Sequence, residues 1–311
     1  MRFAKLHGAG NDYLYVNGFE EKVLDPAALA VRMSDRHFGV GADGLILVLP
    51  PQKGGDVRVG ADGLILVLPP QKGGDVRMRM FNADGSESEM CGNGVRCLAK
   101  FAVDRGLVKV DPRGQNIGSS RAGVVRVETL AGLREIELFR DAGGRIARGA
   151  VGMGRPILEP AKIPVRLTGE RAVNVPITID AESLRMTCVS MGNPHAVFYV
   201  EQVADWPLAT LGPEIERHEM FPARINVHIV QVVSPREVIM RTWERGSGIT
   251  LACGTGASAV CVAGVLTGRT ERHILAHVPG GDLELDWPSD DAEVRLTGPM
   301  EEVFTGEWPE R

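Results

Sequence analysis

The chain has 311 residues, 44% of them apolar and 24% charged, with 35 Lys and Arg against 40 Asp and Glu. That composition excludes a disordered chain, and the length allows one large domain or two of ordinary size. A net charge of −5 with no basic block argues against a nucleic-acid partner, and apolar runs such as 45–49 are far too short to cross a bilayer. The N-terminus turns polar before a signal core can form, and five Cys, an odd number, favour free thiols over a disulfide framework. A cytoplasmic protein without a membrane partner is expected.

In chain order, residues 3–6 and 13–16 predict short strands around the turn Gly8-Ala-Gly-Asn-Asp. Asp25 and Pro26 open a helix over 27–36, as cap and first-turn residue. Strands follow at 44–49 and 75–81; in the second, Val76, Met78 and Met80 alternate with Arg77 and Arg79. A helix over 94–105 stops at Gly106, and strands follow at 124–127 and 134–139. Residues 157–176, with Pro160 and Pro164, are expected to join two halves. The second half predicts strands at 196–200, 227–233 and 237–243, a helix over 256–266 closed by Gly268, and strands at 283–287 and 293–296. The literal G-x-G-x-x-G at 39–44 is preceded by a helix and followed by a strand, which is the reverse of a dinucleotide site.

Two repeats organise this pattern. Residues 40–58, VGADGLILVLPPQKGGDVR, recur without a change as 59–77. Solenoid units drift in sequence and need about three copies to bury a core. Two identical neighbours point instead to a recent tandem duplication, an engineered insertion or an assembly error. The second repeat is older. Asn11 precedes Cys91 by 80 positions and Asn193 precedes Cys253 by 60; without one 19-residue copy the spacings are 61 and 60. The intervals Asn11–Gly44 and Asn193–Asn226 are both 33, and Val76–Cys91 and Val238–Cys253 are both 15. The surplus therefore lies roughly within 49–75, and its apolar stretch 64–68 has no obvious place in a core.

The chemistry concentrates at Cys91-Gly-Asn-Gly and Cys253-Gly-Thr-Gly, matching positions of the two halves, each opening onto a predicted helix. A helix N-terminus offers unpaired N–H groups and partial positive charge, which favours a thiolate and binds a carboxylate. Two thiols on one carbon suit a two-base inversion: one removes the proton α to a carboxylate, and the other returns a proton to the opposite face. This scheme requires no cofactor and no metal. Cys97, Cys188 and Cys261 read as buried thiols in apolar contexts. His195, in Met-Gly-Asn-Pro-His, reads equally as an assisting base or a turn histidine. Glu244-Arg245 reads as a surface ion pair or as a clamp for an amino acid's charged groups. Asn11, Asn82, Asn193 and Asn226 recur at strand ends, as turn formers or as a polar pocket.

As a set, Lys5-Leu-His-Gly-Ala-Gly-Asn-Asp, Phe81-Asn-Ala-Asp-Gly-Ser, Cys91-Gly-Asn-Gly-Val-Arg, Met191-Gly-Asn-Pro-His, Glu244-Arg-Gly and Ala252-Cys-Gly-Thr-Gly-Ala closely resemble the diaminopimelate epimerases, which work without pyridoxal phosphate. The resemblance implies an α+β fold of two pseudo-symmetric domains, each a mostly antiparallel sheet wrapped around a central helix, with the active site between them. The expected domains are 1–128 plus about 295–311, and 129–294. It implies Cys91 and Cys253 as the acid/base pair, with His195 and Glu244 assisting. The backbone of Gly92, Asn93, Gly254 and Thr255 would hold the reacting carboxylate. Asn11, Asn82, Asn193, Asn226, Glu244 and Arg245 would bind the rest of diaminopimelate. Gly44 departs from the Gln of some members. A homodimer is implied, acting on L,L-diaminopimelate to give the meso isomer. The alternatives are a related two-thiol racemase of proline or hydroxyproline type, and a binding protein disabled by the duplication.

Overall fold

The structure, a computed structural model, describes residues 1–51, 73–110, 120–180 and 182–309. The second copy's apolar stretch 64–68, and most of the expected surplus, lie outside the described residues. The chain divides into two compact units, one of residues 1–7, 12–149 and 300–311, the other of residues 8–11 and 150–299. The division falls farther along than 128 and 294, because the hairpin that follows the first central helix stays with the first unit.

The first unit runs β1 (Arg2–Gly8), β2 (Asn11–Asn17), α1 (Pro26–Ser34), β3 (Gly44–Leu49), β4 (Val76–Asn82), β5 (Glu87–Ser88), α2 (Gly92–Asp104), β6 (Arg121–Thr129) and β7 (Gly132–Arg140). The division at Gly149 falls within β8 (Ile146–Gly152). The second unit runs β9 (Val175–Ile179), β10 (Glu182–Ser190), β11 (Pro194–Tyr199), α3 (Leu208–Glu216), β12 (Asn226–Ser234), β13 (Glu237–Glu244), β14 (Gly248–Thr250), α4 (Gly254–Leu266), β15 (His273–Val278), β16 (Gly281–Asp286) and β17 (Arg295–Pro299). The last strand, β18 (Glu301–Glu307), pairs antiparallel with β1 in the first unit.

Each unit repeats one pairing scheme. In the first, β2 and β3 are parallel, β3 and β4 antiparallel, β4 and β6 parallel, and β6 and β7 antiparallel. In the second, β11 and β12, β12 and β13, β13 and β15, and β15 and β16 follow the same alternation. The registers agree as well. Leu45 faces Phe81 in the first unit, and Val227 faces Trp243 in the second. So β3, from copy one of the duplication, and Val76-Arg77, from copy two, pair in the same register as the unduplicated half. A one-residue slip would turn Val76, Met78 and Met80 out of the core and bring Arg77 and Arg79 in.

Each unit is built around one helix. Helix α2 is buried from Gly92 through Ala102 and α4 from Gly256 through Gly264, so neither has a solvent face over most of its length. The Asp25 side chain caps α1 by accepting from the Ala28 N–H at 3.0 Å, with Pro26 in the first turn as expected. Among the described residues no helix is long and apolar enough to cross a membrane.

Three sequence readings need correction. Residues 157–176 do not form a linker: Ile163, Val165 and Ala172 pack into the second unit's core. Helix α3 has no counterpart among the expected elements, and Gly212 and Pro213 lie inside it. The Trp243 indole lies against Gly212, where a Cβ would approach ring carbon Cδ2 to 2.8 Å. The central helices start two residues earlier than expected, at Gly92 and Gly254, which makes Cys91 and Cys253 the caps themselves.

Candidate active site

In the first unit, Cys91 caps α2 with extended backbone (φ −127°, ψ 126°), and its Sγ accepts the Gly94 N–H at 3.5 Å. A cap must accept a hydrogen bond from the first turn, and here sulfur takes the part usually played by a side-chain oxygen. A Cβ on Gly94 would come within 2.9 Å of Ile46 Cδ1 on β3, the far end of a flexible side chain. Burial pushes the Cys91 thiol up, while the Gly94 and Asn93 N–H groups, the Tyr13 hydroxyl and the Arg96 charge pull it back. Asn93 is buried, and its Oδ1 accepts from Arg96 at 2.9 Å. Asn82 Nδ2 donates to Ser86 Oγ at 2.9 Å, inside a tight turn, so its amide is partly committed to local structure. Gly44 leaves no room for a side chain, since a Cβ would fall 2.2 Å from the Phe81 carbonyl oxygen.

In the second unit, Cys253 caps α4 (φ −130°, ψ 108°) and accepts the Gly256 N–H at 3.4 Å. The Thr255 hydroxyl lies 3.5 Å from the same sulfur. Burial pushes this thiol well up, and the Glu244 carboxylate pushes it the same way, against the Thr255 and Gly256 donors. Glu244 Oε1 accepts from Thr250 Oγ1 at 2.6 Å. Asn226 opens β12 with Nδ2 donating to the Pro194 carbonyl at 2.8 Å and Oδ1 accepting the Arg245 N–H at 2.9 Å. Asn226 thus fixes the turn that presents Glu244 and Arg245. Arg245 is exposed, with Nη1 on the Ala223 carbonyl at 2.9 Å. Asn11, at the start of β2, groups with this unit.

His195 is fully buried within a polar chain. Asn193 Oδ1 lies 2.8 Å from His195 Nε2, His195 Nδ1 lies 2.9 Å from His228 Nε2, and His228 Nδ1 lies 3.0 Å from Thr242 Oγ1. An amide oxygen only accepts, so His195 carries its proton on Nε2. His195 Nδ1 then accepts from His228 Nε2–H, and His228 Nδ1 accepts from the Thr242 hydroxyl. Every ring nitrogen is satisfied with both rings neutral. Burial holds His195 far below the usual histidine range, with His228 and Arg245 adding to it, and pushes His228 down to about 3.

Three supporting residues lie outside every motif: Tyr13, which holds the Cys91 sulfur; His228, which sets the His195 tautomer; and Glu216. Arg96 closes the Cys91-Gly-Asn-Gly-Val-Arg motif, which gives no sign of its contacts. The buried Glu216 takes the Trp243 Nε1–H at 2.7 Å and the Gly246 N–H at 3.3 Å, steadying the Glu244-Arg245 turn. The register signals one of them: Tyr13 faces Gly44 on the neighbouring strand as His195 faces Asn226 in the second unit. The other three thiols read as expected, with Cys97, Cys188 and Cys261 buried and each pushed up to about 12. All five cysteines are free. Among the described residues, no group of three or more His, Cys, Asp or Glu is placed to hold a metal ion.

Known proteins resemble this chain over most of its length. The family model for diaminopimelate epimerase matches residues 3–158 and 187–303. The diaminopimelate epimerase of Acetivibrio thermocellus is 46% identical over 308 residues, covering 99% of this chain and 98% of its own. That of Moorella thermoacetica is 46% identical over 310 residues, covering 99% of both chains. Among solved structures, a PhzF-family phenazine biosynthesis protein from Bacillus anthracis aligns with a TM-score of 0.66 at 14% identity, covering 100% of this chain and 99% of its own. A hydroxyproline epimerase from Agrobacterium vitis aligns with a TM-score of 0.63 at 16% identity, covering 98% of this chain and 91% of its own. At such identities the two structures establish the fold alone. With the family model spanning most of the sequence and close relatives spanning nearly all of it, the chain belongs to the diaminopimelate epimerase family.

Proposed function

We propose that the protein inverts L,L-diaminopimelate to the meso isomer with Cys91 and Cys253 as its acid and base. The observation that carries the residue assignment is the sulfur-capped, buried helix at the same place in each unit. The thiolate takes the α-proton: the C–H bond breaks, an S–H bond forms, and the electron pair moves toward the α-carboxylate. The opposing thiol delivers its proton to the other face of the same carbon and becomes the thiolate. The N–H groups of Gly92, Asn93, Gly254 and Thr255 hold the carboxylate as its charge grows. Glu244 and His195 assist the proton transfers. Asn11, Asn82, Asn193, Asn226 and Arg245 bind the remainder of the substrate, with the exposed Arg245 supplying charge for the distal carboxylate. The meso product feeds lysine and peptidoglycan synthesis.

The family match favours diaminopimelate over proline-type substrates. We place the enzyme in the cytoplasm as a homodimer, as the family resemblance implies; a sedimentation mass of a single 33.5 kDa chain would contradict the dimer. The activity is tested by incubating the reduced protein with L,L-diaminopimelate in heavy water and no added cofactor. Meso product carrying one α-deuterium is expected. Absence of both exchange and meso product would remove the reading.

A further inference from the structure

Arg96 lies in the second turn of α2 and is 0% exposed. Its guanidinium folds back along the helix, as helical side chains do. Nη1 donates to the Gly92 carbonyl at 3.1 Å and Nη2 to Asn93 Oδ1 at 2.9 Å. Nε has no partner among the described residues. A buried guanidinium keeps its charge, and a buried charge needs compensation. Burial works against that charge, and the groups among the described residues that favour it are Cys97, Cys91 and Tyr15, none of them a carboxylate.

These neighbours differ in what they can supply. Cys97 is pushed up to about 12 and Tyr15 well above its ordinary value, so both stay neutral. Lys100, farther along α2, is paired with Asp104 at 2.7 Å. From β2, Tyr13 and Tyr15 face the turn; from β3 and β4, Ile46 and Met78 present apolar carbon to Gly94. Burial pushes Cys91 up as well, but the Gly94 N–H, the Tyr13 hydroxyl, the Asn93 N–H and the Arg96 charge pull it back, and its place at the helix cap makes it the best placed of Cys91, Cys97 and Tyr15 to hold an anion. The matching position of the second unit holds Ser258, whose Oγ donates to the Gly254 carbonyl at 2.9 Å. Serine and arginine thus satisfy the same first-turn carbonyl, and arginine alone adds a charge.

We propose that Arg96 is a positioning residue whose buried guanidinium, clamped to Gly92 and Asn93, makes Cys91 rather than Cys253 the thiolate-bearing member of the pair. This rests on Cys91 being one of the two acid/base groups. The test is alkylation of the full chain by iodoacetamide from about pH 5 to pH 10, with each thiol followed by peptide mass spectrometry. In the unaltered protein the Cys91 midpoint should lie about one pH unit or more below that of Cys253, roughly tenfold in thiolate fraction. Arg96→Met should raise the Cys91 midpoint by about one unit, Arg96→Lys should retain most of the effect, and Cys253 should not move in either. A merely structural Arg96 would lower the melting temperature of both variants without moving the Cys91 midpoint, and that result overturns the proposal. So do equal midpoints in the unaltered protein, which decide the matter even if Arg96→Met fails to fold. The underlying reading fails separately: Cys91→Ser would then still epimerise at the unaltered rate.

Discussion

The two helix N-termini share a backbone and differ in charge. Both caps are extended, and both sulfurs accept the N–H of the glycine three residues on, at 3.5 Å and 3.4 Å. Tyr13 and Arg96 act on the Cys91 sulfur, and Ile46 packs against Gly94. Register and spacing put His195, His228 and Ser258 at the positions matching Tyr13, Ile46 and Arg96, and Glu244 acts on the Cys253 sulfur. The first set supplies a cation and a hydroxyl; the second supplies a carboxylate and a neutral histidine pair. The backbone therefore suits each end to negative charge, and the side chains differ between the two. On the proposed two-base inversion, a reversible proton transfer calls for two similar ends and a resting pair for one thiol and one thiolate; a symmetric main chain with asymmetric side chains would meet both needs.

The largest test of this comparison removes either sulfur. Cys91→Ser and Cys253→Ser should each lower kcat/KM for inversion at least about a thousandfold, because a serine hydroxyl is far too weak an acid or base at neutral pH. A loss confined to one variant would mean that the ends are not partners in one reaction. Next comes the charge beside Cys253. Glu244 pushes that thiol up, so Glu244→Gln should lower the Cys253 alkylation midpoint by about one pH unit and leave Cys91 in place. An unmoved Cys253 would assign its high midpoint to burial alone.

What the sequence disclosed divides along similar lines. The Cys91 and Cys253 turns, the strand spacings and the alternation in β4 were all legible, because helix ends and sheet registers leave local marks. The equal intervals to Gly44 and Asn226 fixed the register of β3 despite the duplication. The charge environment was not legible. Arg96 reads as an ordinary helical arginine until all sides of α2 prove buried, and His228 as an ordinary strand residue until its ring meets His195. Glu216 and Trp243 meet across 27 positions of chain. Helix α3 contradicts local propensity, and only packing against Trp243 explains Gly212. Asn226 was expected as a substrate ligand; its amide is engaged with Pro194 and Arg245, which makes it a brace for the Glu244-Arg245 turn.

The histidine pair allows a smaller test. His195 and His228 are neutral when folded, with His228 pushed down to about 3, whereas unfolded histidines titrate near 6.5. Below about pH 6.5 the unfolded chain binds more protons, so stability falls as pH falls toward 3. Each histidine adds about 1.4 kcal/mol per pH unit to that slope. His228→Ile, which copies Ile46 of the first unit, should weaken the acid dependence of unfolding by about one histidine's share. An unchanged slope in denaturant melts between about pH 6 and pH 4 would mean that the pair does not remain neutral when folded.

The smallest effect concerns the third residue of each turn. A Cβ on Gly94 would meet Ile46 Cδ1 at 2.9 Å, the far end of a flexible side chain, whereas one on Gly256 would meet His228 Cε1 at 2.2 Å. The His228 ring is held at both nitrogens, by His195 and by Thr242, so it cannot retreat without breaking the chain of hydrogen bonds. Alanine also favours the helix by about 1 kcal/mol over glycine, which offsets a mild contact but not a hard one. Gly94→Ala should therefore change stability by less than about 1 kcal/mol, while Gly256→Ala should destabilise by about 1–3 kcal/mol. Thermal melts would show the second as a fall of several degrees. If the double variant Gly256→Ala with His228→Ile melts like His228→Ile alone, the cost lies in the ring's fixed position; if it melts lower by the full Gly256→Ala loss, the ring's hydrogen bonds have no part in it.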